Sequence, residues 1–133
     1  MNLKVKYLSS ILAPVSLGEL IDKITILEIK QKYMTCIKLK NIDKELKMLR
    51  NIIQVNNIEV DPALINNLKK VNKKLWEIED SIRIKESNQE FDKEFIALAR
   101  SVYKENDKRA SIKKAINQKY NSELTEEKSY KSF

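Results

Sequence analysis

The sequence predicts an all-α fold, an antiparallel bundle of three to four helices, and three observations carry that prediction. Glycine occurs once and proline twice in 133 residues, too few turn formers for a sheet with many tight hairpins. Apolar residues recur at steps of three and four, the spacing of one helix face, over most of the chain. Helix-start signals stand directly ahead of these stripes: Ser16 with Glu19, Asp61 with Pro62, and Ser87 with Glu90.

The first residues differ from the rest. Leu3, Val5 and Tyr7 alternate with Lys4 and Lys6, the pattern of a short strand or extended arm. Ser9, Ser10 and Pro14 interrupt the stretch before a signal-peptide core could form, so it reads as mature protein. The segment Pro14 to Lys30, PVSLGELIDKITILEIK, is the most informative in the chain. Ser16 is placed to cap a helix while Glu19 reaches back to its amide, and Val15 is placed to staple onto Leu20. From there a stripe runs Leu17, Leu20, Ile24, Leu27 and Met34 with a gap at Gln31, predicting a helix over about 17–38.

A second stripe, Leu39, Ile42, Leu46, Leu49 and Ile53, lies one residue out of phase with the first. The slip implies a break near Thr35 to Lys38 and a second helix over about 39–55, or one bent helix across both. The Asn-rich segment Gln54 to Val60 reads as a loop. Asp61 and Pro62 then supply a cap and first-turn pair for a helix over about 62–86, striped by Leu64, Leu68, Val71, Leu75, Ile78 and Ile82. The Ser87 and Glu90 pair predicts a fourth helix over about 88–120, marked by Phe91, Phe95, Leu98, Val102, Ile112 and Ile116. Its stripe passes through Glu105 and Arg109, an internal ion pair at helical spacing or the floor of a pocket. Residues 122–133 are polar and read as a mobile tail unless they dock.

No linker or repeat divides the chain, and residues 1–133 read as a single helical domain. One cysteine, Cys36, and no histidine point to a reducing, cytoplasmic setting and remove the catalytic histidine and the histidine-activated thiol; Cys36 reads as a buried small hydrophobe. No window approaches the roughly 18 apolar residues of a membrane span. Glycine-rich phosphate loops, nucleophile elbows and clustered metal ligands are absent from the sequence. Apolar flanks beyond the stripes, at Ile21, Ile26, Ile29, Ile65 and Ile84, predict self-association, with a homodimer as the expected form.

The net charge of +7 raises the possibility of nucleic acid, with Lys69, Lys70, Lys73 and Lys74 as the densest patch. Only four of the 26 cations are arginines, and Lys, Asn and Ile are abundant, as an AT-rich genome would produce. Nucleic-acid sites favour Arg with stacking aromatics, so nonspecific RNA binding by this lysine face stands as an alternative only.

Three constellations are candidates for chemistry. Glu19 with Asp22, and Glu77 with Asp80, each place two carboxylates on one helix face, oxygen ligands of the kind that all-helical nucleotide pyrophosphohydrolases offer to magnesium. With 19 acids in the chain such spacings also arise by chance, and Glu19 has a capping role. A second set joins Asn72, Trp76, Glu79 and Arg83 on one ridge to Arg100, Tyr103, Asn106 and Asp107 on another. Arg83, Arg100 and Arg109 would offer rigid donors for a phosphate or carboxylate, with the Trp76 indole as an apolar wall. The plainer reading pairs Glu79 with Arg83 and Glu105 with Arg109 and makes Trp76 a core anchor. The third set is Lys23, Thr25, Glu28 and Lys30 on the first helix, with the two lysines seven residues apart and so on one side, where they serve an interface pocket or the solvated surface.

Four strings, PVSLGELIDKITILEIK, VNKKLWEIEDSIR from Val71, FIALARSVYKENDKRASIKKAIN from Phe95, and SELTEEKSY from Ser122, resemble a family of short bacterial and phage proteins classed as a domain of unknown function. The resemblance spans nearly the whole chain, is weakest from Gln31 to Leu64, and implies a helical fold with no assigned activity. The expected function is therefore a non-catalytic, cofactor-free binding or assembly module, in which Trp76, Arg83, Arg100, Tyr103 and Arg109 bind an anionic small molecule or a partner's acidic segment. The enzymatic alternative is magnesium-dependent hydrolysis through Glu19, Asp22, Glu77 and Asp80.

Overall fold

A computed structural model describes residues 9–133. These form four helices, α1 (Leu17–Tyr33), α2 (Cys36–Val55), α3 (Pro62–Ser87) and α4 (Lys93–Lys119), and no strand. The extended arm expected at Leu3, Val5 and Tyr7 lies outside the described residues.

Helix α1 starts where the sequence predicts, with the Ser16 hydroxyl accepting the Glu19 amide at 3.1 Å. The reciprocal half of the capping box is replaced, because the Glu19 carboxylate turns to Lys113 of α4 at 2.6 Å. Val15 stays half exposed. The next two orphan amides find partners across the fold: Leu17 donates to Ser122 Oγ at 3.1 Å and Gly18 to Asn117 Oδ1 at 2.7 Å.

The phase slip between the first two stripes is a break. Met34 and Thr35 are extended and Cys36 takes a positive φ of 56°, so α1 ends at Tyr33 and α2 begins at Cys36, just under two turns before its first buried residue, Ile42. Cys36 is exposed, not buried, since it opens α2 on the outer side of the turn.

Helix α3 begins as predicted, with Asp61 capping Ala63 at 2.9 Å and Pro62 in the first turn. The fourth helix begins later than Ser87 and Glu90 suggest. Ser87 ends α3, donating to the Ile84 carbonyl at 2.8 Å, and Asp92 caps α4 by accepting from Phe95 at 2.9 Å. Glu90, Asp92 and Glu94 gather instead on Lys85, whose ammonium they hold well above its ordinary pKa, the Glu94 bond contributing most.

Helices α3 and α4 run antiparallel, tied at one end by Tyr120 Oη accepting the Asp61 amide at 2.7 Å and midway by Lys74 with Glu105 at 3.0 Å. Helix α1 packs against both, and one core forms where Ile21, Leu68 and Ile116 meet. Leu68 and Ile116 are fully buried, each contributing about 2 kcal/mol of transfer free energy. A second core joins α1 to α2 through Leu27, Ile42 and Leu46. Helix α2 folds back along α1 alone and meets neither α3 nor α4 along its length, although Ile53 reaches the edge of the first core.

Candidate functional site

The polar centre of the bundle is Asp22, only 1% exposed on the buried face of α1. A carboxylate removed from water requires opposite charge and hydrogen bonds in compensation. Arg109 of α4 supplies both, Nε donating to Oδ1 at 2.9 Å and Nη2 donating to Oδ2, the forked geometry that guanidinium matches to carboxylate. Asn72 of α3 donates to the same Oδ1 at 2.8 Å and to Thr25 Oγ1 at 3.0 Å. Thr25 in turn donates to the Asp22 carbonyl at 2.7 Å. The bond to Asp22 outweighs burial and raises the Arg109 pKa, so its charge is fixed.

One turn along α4, Lys113 is 8% exposed at its side chain and donates to Glu19 at 2.6 Å and to Glu126 of the C-terminal segment at 2.8 Å. Burial acts to lower the Lys113 pKa, but the bonds to Glu126 and Glu19 raise it. The Lys113 bond likewise lowers that of Glu126. The 122–133 segment is non-helical and mostly exposed, yet it docks through Ser122, Glu126 and the Phe133 ring.

Above this network lies a cleft of ≈ 640 Å³ between α1, α3 and α4. Ile26, Leu75 and Val102 give it apolar walls, Lys30, Arg83 and Arg109 supply cations, and Asn72 and Asn106 add amides. Glu79 and Asp80 stand at the same opening. Trp76 forms one wall, its ring stacked on Tyr33 with centroids 5.2 Å apart. The indole Nε1 is buried and has no hydrogen-bond partner among the described residues.

Three of the five expected binding residues, Trp76, Arg83 and Arg109, share this cleft, and Arg100 and Tyr103 do not line it. The α4 residues that line it are Val102, Asn106 and Arg109, spaced by four and three along one face. Arg100 and Tyr103 fall outside that face, Arg100 in solvent and Tyr103 edge-on to Phe133 at 4.9 Å. Arg83 does bond Glu79 at 3.3 Å, but both are largely exposed and the pair contributes little. The expected Glu105 to Arg109 pair does not form. Glu105, 4% exposed, is held by Lys74 and Lys108 at 3.0 Å each; burial works to raise its pKa, and the two ammonium groups bring it below the ordinary range.

The four carboxylates considered for magnesium do not converge. Glu19 is bound by Lys113 and Asp22 by Arg109, while Glu77 and Asp80 are exposed on α3. Among the described residues no three His, Cys, Asp or Glu side chains are placed to hold a metal ion. Of the third set, Lys23 pairs with Glu45 at 3.2 Å and Glu28 with Arg50 at 3.0 Å, Thr25 joins the Asp22 network, and Lys30 faces the cleft.

Sequence spacing could not reveal that Asp22 pairs with Arg109, 87 residues away. The available signal was a carboxylate and a threonine kept inside an apolar run, together with Asn72 one turn past Leu68 on the buried face of α3.

Residues 12–133 match the model of a protein family described as one of unknown function, DUF6165. No curated protein and no solved structure matches the chain.

Proposed function

Because the chain belongs to the family of unknown function DUF6165, we propose from its own geometry that it is a non-catalytic binding module whose α1/α3/α4 cleft takes a small anionic ligand with an apolar portion. The observation that carries this reading is Trp76 in the cleft wall, whose indole Nε1 is a buried donor without an acceptor among the described residues. Such a donor costs about 1–3 kcal/mol when left unbonded, and a ligand oxygen would recover it where the cleft wall yields enough to uncover the indole edge. Lys30 supports the same reading, because it lines the cleft and pairs with no carboxylate among the described residues. Arg109 adds a fixed charge at the floor, and Ile26, Leu75 and Val102 would hold the apolar part.

The module is placed in the cytoplasm of a bacterium or its phage. Support comes from the single thiol, Cys36, which has no disulfide partner, and from the resemblance of the four strings to bacterial and phage proteins. No described helix is long and apolar enough to cross a membrane.

The test is a thermal-shift screen against nucleotides, sugar phosphates and carboxylate metabolites, with and without magnesium, on the natural chain and on Lys30→Met and Trp76→Phe. One ligand class should stabilise saturably, by about 2.7 kcal/mol at a hundredfold excess over Kd. Lys30→Met should abolish the shift, and Trp76→Phe, which keeps the stacking ring and removes the donor, should weaken it about tenfold. A flat response across the panel defeats the reading, and saturation by acidic peptides alone would replace the small molecule with a partner's segment.

A further inference from the structure

Helix α2 has two unlike sides. Its inner side carries Ile42 and Leu46 into α1. On its outer side Ile37, Met48, Ile52 and Val55 are 67%, 43%, 41% and 69% exposed. At about 100° per residue these four fall within one narrow stripe about 27 Å long, in which Met48, Ile52 and Val55 form a continuous apolar patch and exposed Asn41, with Lys44 beside it, separates them from Ile37. Among the described residues no other helix covers this stripe, since α2 packs on α1 alone.

The charges of α2 are sorted in the same way. Its two carboxylates are both engaged by α1, Asp43 accepting from Gln31 at 2.8 Å and Glu45 pairing with Lys23 at 3.2 Å. Arg50 also turns inward, to Glu28. The remaining cations, Lys38, Lys40, Lys44 and Lys47, are exposed, flank the stripe, and pair with no carboxylate among the described residues.

We propose that the outer face of α2 docks an acidic amphipathic helix of a protein partner, about five turns long, with its apolar residues on the stripe and its carboxylates against these four lysines. The segregation of charge selects this occupant. A second copy of the chain, paired through the same face, would set two rows of lysines against each other, which is unfavourable. The residues that predicted self-association are largely consumed within the fold: Ile21 and Ile29 are buried, Ile26 and Ile65 half-buried, and Ile84 alone stays exposed.

The probe is a synthetic helical peptide of about five turns with leucines on one face and glutamates on its flanks, beside a counterpart with lysines in place of the glutamates, each titrated by fluorescence anisotropy against the full chain. The glutamate peptide should bind, more weakly as salt rises, and the lysine peptide should not. Met48→Ser with Ile52→Ser, both at exposed positions, should reduce the affinity about tenfold or more while circular dichroism stays unchanged. A triple reversal, Lys40→Glu, Lys44→Glu and Lys47→Glu, should invert the preference in favour of the lysine peptide. The proposal is overturned if the two peptides bind alike, if the reversal leaves the preference standing, or if the chain sediments as a dimer that the Met48 and Ile52 changes dissociate. Adsorption to vesicles of anionic lipid without peptide binding also overturns it, by assigning the face to a membrane surface.

Discussion

Gly18 is the chain's lone glycine, and it stands where α1 crosses α4. A Cβ at this position would meet the Lys113 carbonyl oxygen at 2.6 Å and Asn117 Oδ1 at 3.0 Å, the first of these belonging to helix backbone that cannot swing aside. The close approach lets the Gly18 amide reach Asn117 and brings Glu19 to Lys113. Gly18→Ala should therefore destabilise the protein by about 1–3 kcal/mol despite the gain in helix propensity. Chemical denaturation checks this through a lowered midpoint at unchanged slope, and an alanine variant as stable as the natural chain would mean that α1 and α4 can separate freely. The same crossing explains why the candidate site was only partly legible. Trp76 and Arg83 could be read together because they share one face of one helix, whereas the partner of Arg109 is decided by how α1 lies on α4. Local spacing offered Glu105, four residues away. Helix packing delivers Asp22 instead, and Glu105 goes to the lysines of α3 and of its own helix.

Three helices end in the same way at the level of the element. After α2, α3 and α4 a residue takes a left-handed conformation, Asn57, Gln89 and Asn121, and the following amides close back onto the last turn. Ile58 bonds Ile53, Glu90 bonds Lys85 and Ser122 bonds Asn117, at 3.0, 2.9 and 2.8 Å, the Schellman pattern usually built on glycine. Asparagine tolerates this backbone and glutamine does so poorly. Gln89→Gly should thus stabilise the protein by about 1 kcal/mol, and Asn57→Gly by only a few tenths, which paired thermal melts would rank. Equal gains at both sites would remove side-chain tolerance as the cause. With glycine missing from these caps, the ends of the helices were harder to read than their starts. Asp61 and Pro62 marked α3 unambiguously, and the slipped stripe pointed to a break or a bend after α1. At the α3/α4 junction Ser87 and Glu90 imitated a capping box, but the left-handed Gln89 carries the chain past them and leaves the cap to Asp92.

Across the whole molecule, stability is unevenly distributed. Helices α1, α3 and α4 share the core of Ile21, Leu68 and Ile116 and the Asp22 network, so none can leave without exposing a buried charge or amide. Helix α2 contributes two buried residues, Ile42 and Leu46, from its 20, and it is bound to α1 along one side. Its opening would expose Leu27 and part of the first core through Ile53, but would leave Asp22, Asn72 and Arg109 in place. Helix α2 should therefore open as a separate unit below the free energy of global unfolding. In native-state hydrogen exchange its amides should exchange about tenfold or more faster than those from Leu68 to Ile78 of α3, with matched rates showing instead that α1 and α2 unfold only with the whole. A partner on the outer face of α2 would stabilise the closed form by mass action, so the glutamate peptide should slow exchange in α2 and leave α3 unchanged. A small anion in the cleft, which touches α1, α3 and α4 and not α2, should do the reverse. The two binding readings thereby separate on one protein: each predicts protection in a different part of the same four helices.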